Sequence, residues 1–348
     1  MHLSSRRTTT GGIALGLAAL GLAAFTPTAA RAQTQDLFVT NYGNKTVSRF
    51  AGTGPGTFSK TAIVLSAPSL NLQPSGLAFD KSGDLFVGNY SDAGGSIVEF
   101  AAGATPGTFG TTSSFTDPSL RGPEGLTLDT LGNLFVANFQ NNTIVEFAAG
   151  ATPGTFGATK TLTDPSLKGP GDIVFDARGD LFTENAQTNS ITEFAAGVTP
   201  GTFGAVTTFT APGLSFPQGL ILDAKGDMFV ANGGNNTITE FLAGATVGTF
   251  GTGMTFATGL TNPTGLAFDA RGDLFNNNYD GTIKEFAFNS ATGTFGPAQT
   301  VETGLSGAIS LAFGPSAPVP EASTTVSLGL LLALGMGGLV VARRRRKA

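Results

Sequence analysis

Short apolar runs alternate with Gly-, Asn- and Asp-rich breaks along most of this 348-residue chain. The runs have the length and period of β-strands. In Pro123-Glu124-Gly125-Leu-Thr-Leu-Asp129, the segment Leu126 to Asp129 predicts a first strand, closed by Asp-x-x-Gly. Asp opens such a turn and Gly supplies its positive φ, so the pair predicts a tight hairpin with a bulge. Leu134 to Asn138 predicts a second strand that runs into an Asn-rich turn. Thr143 to Phe147 alternates polar and apolar residues, as a half-buried third strand does. After Gly154-Thr155-Phe156 a Thr-rich segment predicts a fourth strand, outermost because β-branched polar residues suit a wet sheet edge.

This unit recurs. The Asp/Asn-hydrophobic-Phe step stands at Asp36, Asp84, Asn133, Asp180, Asp227 and Asp273, with spacings of 48, 49, 47, 47 and 46 residues. That is the length of a four-stranded propeller blade. The first copy starts inside its second strand, at Asp36. The last is followed by Ile309-Ser-Leu-Ala-Phe313, which reads as a first strand with nothing after it. An orphan strand at one end and a gap at the other predict a closed ring: an all-β, six-bladed β-propeller over residues 33–317.

The flanks have another character. Arg6 and Arg7, the apolar run Gly11 to Phe25, and Ala30-Arg31-Ala32 predict a secretory signal over residues 1–32, cleaved before Gln33 with Ala30 and Ala32 as the small residues a signal peptidase needs. Ser5-Arg6-Arg7 resembles a twin-arginine start, with Thr9 and Thr10 where that motif has Phe and Leu. At the other end Val319-Pro320-Glu321-Ala322-Ser323 (within 318–325) precedes an apolar span over 326–342 and a basic tail over 343–348. A positive tail stays cytoplasmic, so this pattern predicts a transmembrane helix in the inner membrane with the body facing outward. The tripartite tail resembles the PEP-CTERM sorting signal, which implies an exosortase-like partner acting at Pro320 and Glu321; Ala322 replaces the second Pro. The resemblance also implies a cell-surface or matrix location near exopolysaccharide.

Without the flanks the charge changes. Eleven of the 19 basic residues and 23 of the 24 acidic ones lie in the body, a net charge of −12 against −5 for the chain. An acidic body repels phosphate backbones, which argues against nucleic acid as a partner. There is no Cys, and the single His is His2. Thiol nucleophiles, thiolate metal sites and imidazole general bases are therefore excluded from the body.

The repeats resemble NHL repeats over residues 36 to about 314. The match is the Pro-x-Gly, strand, Asp-x-x-Gly, strand pattern, followed by Asn-x-Thr/Ser-Ile. Where NHL repeats pair Asp with Arg, this chain has Asn (Asn41, Asn89, Asn138, Asn185, Asn232, Asn278) and Thr or Ser. A neutral pair keeps hydrogen bonding and gives up charge, and the RNA binding known for basic NHL domains does not transfer.

Repeated residues, such as the turn acids Asp80, Asp129, Asp176, Asp223 and Asp269 or the Glu that five of six third strands carry (Glu99, Glu146, Glu193, Glu240, Glu285), are architectural, since a ring with one site has no need of so many. Candidate chemistry lies where the repeat breaks. Counting back through the Asp-x-x-Gly turn sets residue 172 opposite 184. Other copies have Gly76 with Gly88, Gly125 with Ala137, Gly219 with Ala231, and Gly265 with Asn277; one copy has Asp172 and Glu184. Opposed carboxylates repel unless they share a proton, hold a cation or are solvated. Three readings follow. The pair binds Ca²⁺ with Asn185, Asn138 or Asn232 adding oxygens. It is the acid/base pair of a lactonase resembling SMP-30-type propellers. Or it is solvated at the rim and offset by Lys168. Glu124 and Gln218, in the Pro-x-Gly loops, are further candidates for the same channel mouth.

Uniform repeats, absent His and Cys, and a Thr-, Asn- and Gly-rich surface predict a monomeric, non-catalytic binding module for polysaccharide, a small ligand or a surface protein. The alternative is a metal-dependent hydrolase of lactones or esters.

Overall fold

The computed structural model describes residues 35–314 other than 55, 106, 153 and 247. The expected signal, sorting motif, membrane span and basic tail lie outside these residues. Six four-stranded antiparallel sheets form the blades of a propeller. Blade 1 consists of Ala308–Phe313, Leu37–Asn41, Thr46–Phe50 and Ile63–Leu65 in that order. Blade 2 has Gln73–Phe79, Leu85–Tyr90, Ser96–Ala102 and Phe109–Phe115; blade 3 has Pro123–Leu128, Leu134–Asn138, Thr143–Ala149 and Phe156–Thr163. Blade 4 has Pro170–Phe175, Leu181–Asn185, Ser190–Ala196 and Phe203–Thr210. Blade 5 has Pro217–Leu222, Met228–Asn232, Thr237–Phe241 and Met254–Ala257; blade 6 has Pro263–Phe268, Leu274–Asn278, Ile283–Phe286 and Gln299–Glu302. No helix occurs among the described residues.

The ring closes as the orphan strand requires. Leu37 pairs with Phe313, Phe38 with Ala312 and Val39 with Leu311. The first strands adjoin one another around the axis, so closely that glycine is needed there: a Cβ at Gly125 would lie 2.5 Å from the Gly171 carbonyl oxygen of the next blade. This is the reason for the Gly in Pro-x-Gly.

The repeated polar residues are clasps. Asp129 Oδ1 accepts the N–H groups of Leu131 and Asn133, each at 2.9 Å, and the other turn acids do the same. The acid or Asn that starts the second strand reaches outward to the third-strand connection, as Asp180 Oδ1 does to Ala196 N–H at 2.7 Å. The Asn ending the second strand holds the loop before the first strand. Asn185 Oδ1 accepts Lys168 N–H at 2.9 Å, and Asn138 accepts Arg121 N–H at 3.1 Å. Its amide donates to a third-strand hydroxyl, as the neutral pairing predicts: Asn89 to Ser96 and Asn278 to Thr282. In blade 4 the acceptor is Thr192, two residues beyond the expected Ser190.

Phenylalanine joins the blades. The Phe of each Gly-Thr-Phe packs edge-on against the second-strand Phe of the preceding blade, as Phe156 does on Phe86 and Phe203 on Phe135. The contact recurs at all six seams with ring centroids 5.3 to 5.8 Å apart, and Phe58 on Phe275 makes it where the ring closes. Gly-Thr-Phe is therefore an inter-blade buckle as well as a turn.

Candidate functional site

The starts of the six first strands, Pro-x-Gly in four of them, converge on one mouth of the axis, lined by Gly76, Glu124, Gly125, Asp172, Gln218, Gly265, Ile309 and Ser310. Backbone so nearly fills the axis that the cavity beneath is only about 10 Å³, room for a single water. The mouth is a shallow platform with a closed floor.

Blade 4 departs from the pattern. Its Pro170 is followed by Gly171-Asp172 where blades 2, 3, 5 and 6 have x-Gly. The pairing of its first two strands runs from Phe175–Leu181 to Ile173–Thr183 and then shifts at a bulge before Pro170–Asn185. Asp172 and Glu184 meet at that bulge. Glu184 Oε1 accepts the Asp172 N–H at 2.6 Å. Gly171 leaves the space for it, since a Cβ there would collide with Glu184 Oε1. Asp172 Oδ1 accepts Ile173 N–H at 3.0 Å, and Leu220 N–H of blade 5 also bonds its carboxyl.

Burial decides the electrostatics. Glu184 is 0% exposed, and its Oε2 has no hydrogen-bond partner among the described residues. Burial, and then the charges of Asp172 and Glu124, raise its pKa well above the usual carboxylate range. Asp172 is raised to about 7 by burial, against the opposing pull of the Ile173 and Leu220 N–H groups. Glu124 is raised to about 7 by burial first and by Asp172 second. Asp172 and Glu124 keep some surface on the mouth, while dense protein surrounds their carboxyls. No cation pairs with any of the three among the described residues. The structure thus corrects the solvated-rim reading: Glu184 has no exposed surface, and Lys168 makes no ion pair with it.

The structure brings Asp172, Glu184, Glu124 and Gln218 to one place, and Gln218 Oε1 is buried there without a partner. It does not bring Asn185. Neighbouring strand residues point to opposite faces, and the Asn185 side chain is held between Lys168 N–H and Thr192 Oγ1, each at 2.9 Å. Asn138 and Asn232 likewise bind the loops of their own blades. The donors are oxygens, as Ca²⁺ prefers, yet among the described residues no three His, Cys, Asp or Glu side chains are grouped to hold a metal. The residues present do not assemble the expected metal set.

The sequence comparison at the Glu184 position named Asn277 and left out Thr40. Thr40 and Asn277 occupy the Glu184 position in blades 1 and 6. Thr40 Oγ1 donates to Ser75 O at 2.8 Å, and Asn277 donates to Thr264 Oγ1 at 2.7 Å while its own Oδ1 stays unpaired. Adding the first copy to that comparison would have found Thr40.

No protein-family model matches the chain, and no curated protein does. Solved structures do. The periplasmic gluconolactonase of Pseudomonas aeruginosa is 18% identical with a TM-score of 0.57, covering 81% of this chain and 99% of its own. A Bacteroides fragilis protein named provisionally as a 6-phosphogluconolactonase is 15% identical with a TM-score of 0.59, covering 82% and 99%. A catalytically inactive His-to-Ala variant of virginiamycin B lyase from Staphylococcus aureus, with quinupristin, is 15% identical with a TM-score of 0.55, covering 78% and 86%. Likeness at these identities establishes the propeller fold.

Proposed function

We propose that the protein is a hydrolase of small, uncharged lactones or related esters, acting with carboxyl groups at the Pro-x-Gly mouth. One observation carries this reading: Asp172 and Glu124 face the mouth together, and both are raised to about 7. Near neutrality one such group can be ionised while the other holds its proton, the condition for paired base and acid. Asp172 as carboxylate takes a proton from the water whose oxygen bonds to the lactone carbonyl. Glu124 as acid gives its proton to the ring oxygen as the acyl C–O bond breaks, leaving the hydroxy acid. Glu184 is a positioning residue: it holds the Asp172 N–H and denies its neighbour solvent and a counter-charge.

The fold shared with a gluconolactonase supports the same reading. Lyase chemistry of the virginiamycin type receives no such support, because that enzyme is inactive without a particular His and this chain has only His2. A second reading, the non-catalytic binding module, is favoured by the closed floor of about 10 Å³. We further assign the protein to the outside of the cytoplasmic membrane, on the sequence of residues 1–32 and 318–348.

The test is glucono-δ-lactone opening by the purified protein, followed from about pH 5 to about pH 9 with and without added Ca²⁺. Turnover with a bell-shaped profile near neutrality, lost about 100-fold or more in both Asp172→Asn and Glu124→Gln, is the expected result. A rate no higher than the uncatalysed one at every pH, with and without Ca²⁺, rejects the hydrolase and leaves the binding module.

A further inference from the structure

The mouth face carries a crown of aromatic side chains that the carboxyl chemistry does not use. All three tyrosines of the chain, against 29 phenylalanines, stand at one repeat position, directly after the Asn that ends the second strand: Tyr42, Tyr90 and Tyr279. Phe139 holds that position in blade 3, and blades 4 and 5 have Ala186 and Gly233. The rings lie over the seam to the next blade. Tyr90 covers Gly122, Phe139 covers Gly169 and Tyr279 covers Gly307, and these glycines have φ of 62°, 61° and 61°.

At the seam between blades 4 and 5 the arrangement is reversed. The second strand offers only Ala186, and the left-handed loop position is occupied by Phe216, at φ 46°. Its carbonyl accepts Gly233 N–H just as the Gly122 carbonyl accepts Phe139 N–H. A bulky residue in the left-handed region is strained, and Phe216 is also 43% exposed. Neither packing nor backbone preference accounts for an aromatic there. Five of the six seams thus present an aromatic ring beside the mouth, and the seam between blades 5 and 6, with Gly233 and Asn262, does not.

The crown surrounds the acidic mouth. The Glu124 carboxyl helps to raise the pKa of both Tyr42 and Tyr90, behind burial as the main cause. Tyr90 OH donates to Asp92 at 3.0 Å and accepts from Gln140 at 2.5 Å. Tyr279 is 47% exposed. Tyr is the aromatic that offers an apolar face and a polar tip together. A sugar ring is its complement, with C–H groups on its faces and hydroxyls around its edge. Those hydroxyls find acceptors in Glu124 and Asp172 at the mouth. A mouth lined by two carboxyls, with Glu184 buried behind them and no cation paired to them among the described residues, repels anionic chains. An arc across five seams offers more than one stacking position, which suits a chain of sugars.

We propose that the aromatic crown of Tyr42, Tyr90, Phe139, Phe216 and Tyr279 is a binding platform for a neutral polysaccharide. This site does not depend on the hydrolase reading, because it uses stacking surfaces that take no part in proton transfer. The full-length protein is run in affinity gels containing dextran, galactomannan or hydroxyethyl cellulose, with alginate and chitosan as charged comparators, beside thermal melts. Retardation by a neutral glycan, weakened about tenfold by Tyr42→Ala/Tyr279→Ala, is the expected result. Phe216→Gly separates binding from folding: it installs the residue other seams use, so it should weaken retardation while melting no lower than wild type. The proposal is overturned if no neutral glycan retards the protein, if alginate or chitosan binds better, or if Phe216→Gly melts lower with retardation unchanged.

Discussion

Glu184 shows what one residue in a repeat can do. At its position other blades place Gly, Ala, Thr or Asn, and none of these brings a charge into the seam. Glu184 does, with Oε2 unpaired and Asp172 against it. A carboxyl whose pKa is raised by folding binds its proton more tightly in the folded state than in the unfolded one. The folded protein is therefore favoured at low pH and loses that advantage as pH rises through the window between the two values. For Glu124 this window runs from 4.5 to about 7, and Glu184 and Asp172 act in the same direction. The melting temperature should accordingly fall between about pH 5 and about pH 8. Glu184→Gln keeps an acceptor for Asp172 N–H and removes the charge. It should raise Tm at alkaline pH by about 2–6 °C and flatten the pH slope. A Glu184→Gln protein with unchanged Tm and slope would show that the carboxyl is not held protonated.

Turn counting in the sequence brought residues 172 and 184 together, because the hairpin length sets the register. It could not show that Glu184 is sealed from water. The surroundings of the pair include neighbouring blades: Leu220 N–H of blade 5 bonds Asp172, and Gly125 of blade 3 packs against its backbone. The candidate ligand Asn185 failed for a reason that strand geometry already contains, since adjacent residues cannot share a face.

Among the elements, the connection between third and fourth strands works beyond its own blade. Phe203 meets Phe175 and Phe194 as well as Phe135, with centroids 5.0 Å between Phe135 and Phe175 and 5.8 to 6.4 Å for the contacts of Phe203. Phe203→Ala removes the ring that spans the seam, and urea unfolding should report a loss of about 3–5 kcal/mol. A loss below about 1 kcal/mol, the size of a surface change, would show that the buckle contributes nothing special. In the sequence the repeated Gly-Thr-Phe only marked the step before the fourth strand. The packed ring shows that its Phe belongs to the core of the preceding blade.

At the scale of the molecule, stability depends on circular closure. Blade 1 takes its inner strand from the far end of the described chain, and Thr40 Oγ1 accepts Ser310 N–H at 3.0 Å across the join. Deleting Ile309 to Phe313 should abolish the single cooperative melting transition by leaving Leu37–Asn41 with an unpaired inner edge. A deletion protein that melts like the intact one would refute the closure. The sequence by itself determined the number of blades, the strands in each, the closure and the hairpin register, because all of these follow from period, turn chemistry and chain order. The tertiary structure alone decided three other matters: that the acid pair is buried without a counter-ion, that the axis is filled by backbone, and that scattered tyrosines join Phe139 and Phe216 around one mouth. Each depends on how far apart neighbouring blades stand, a distance set by side chains that meet across seams and by no pattern within a single repeat.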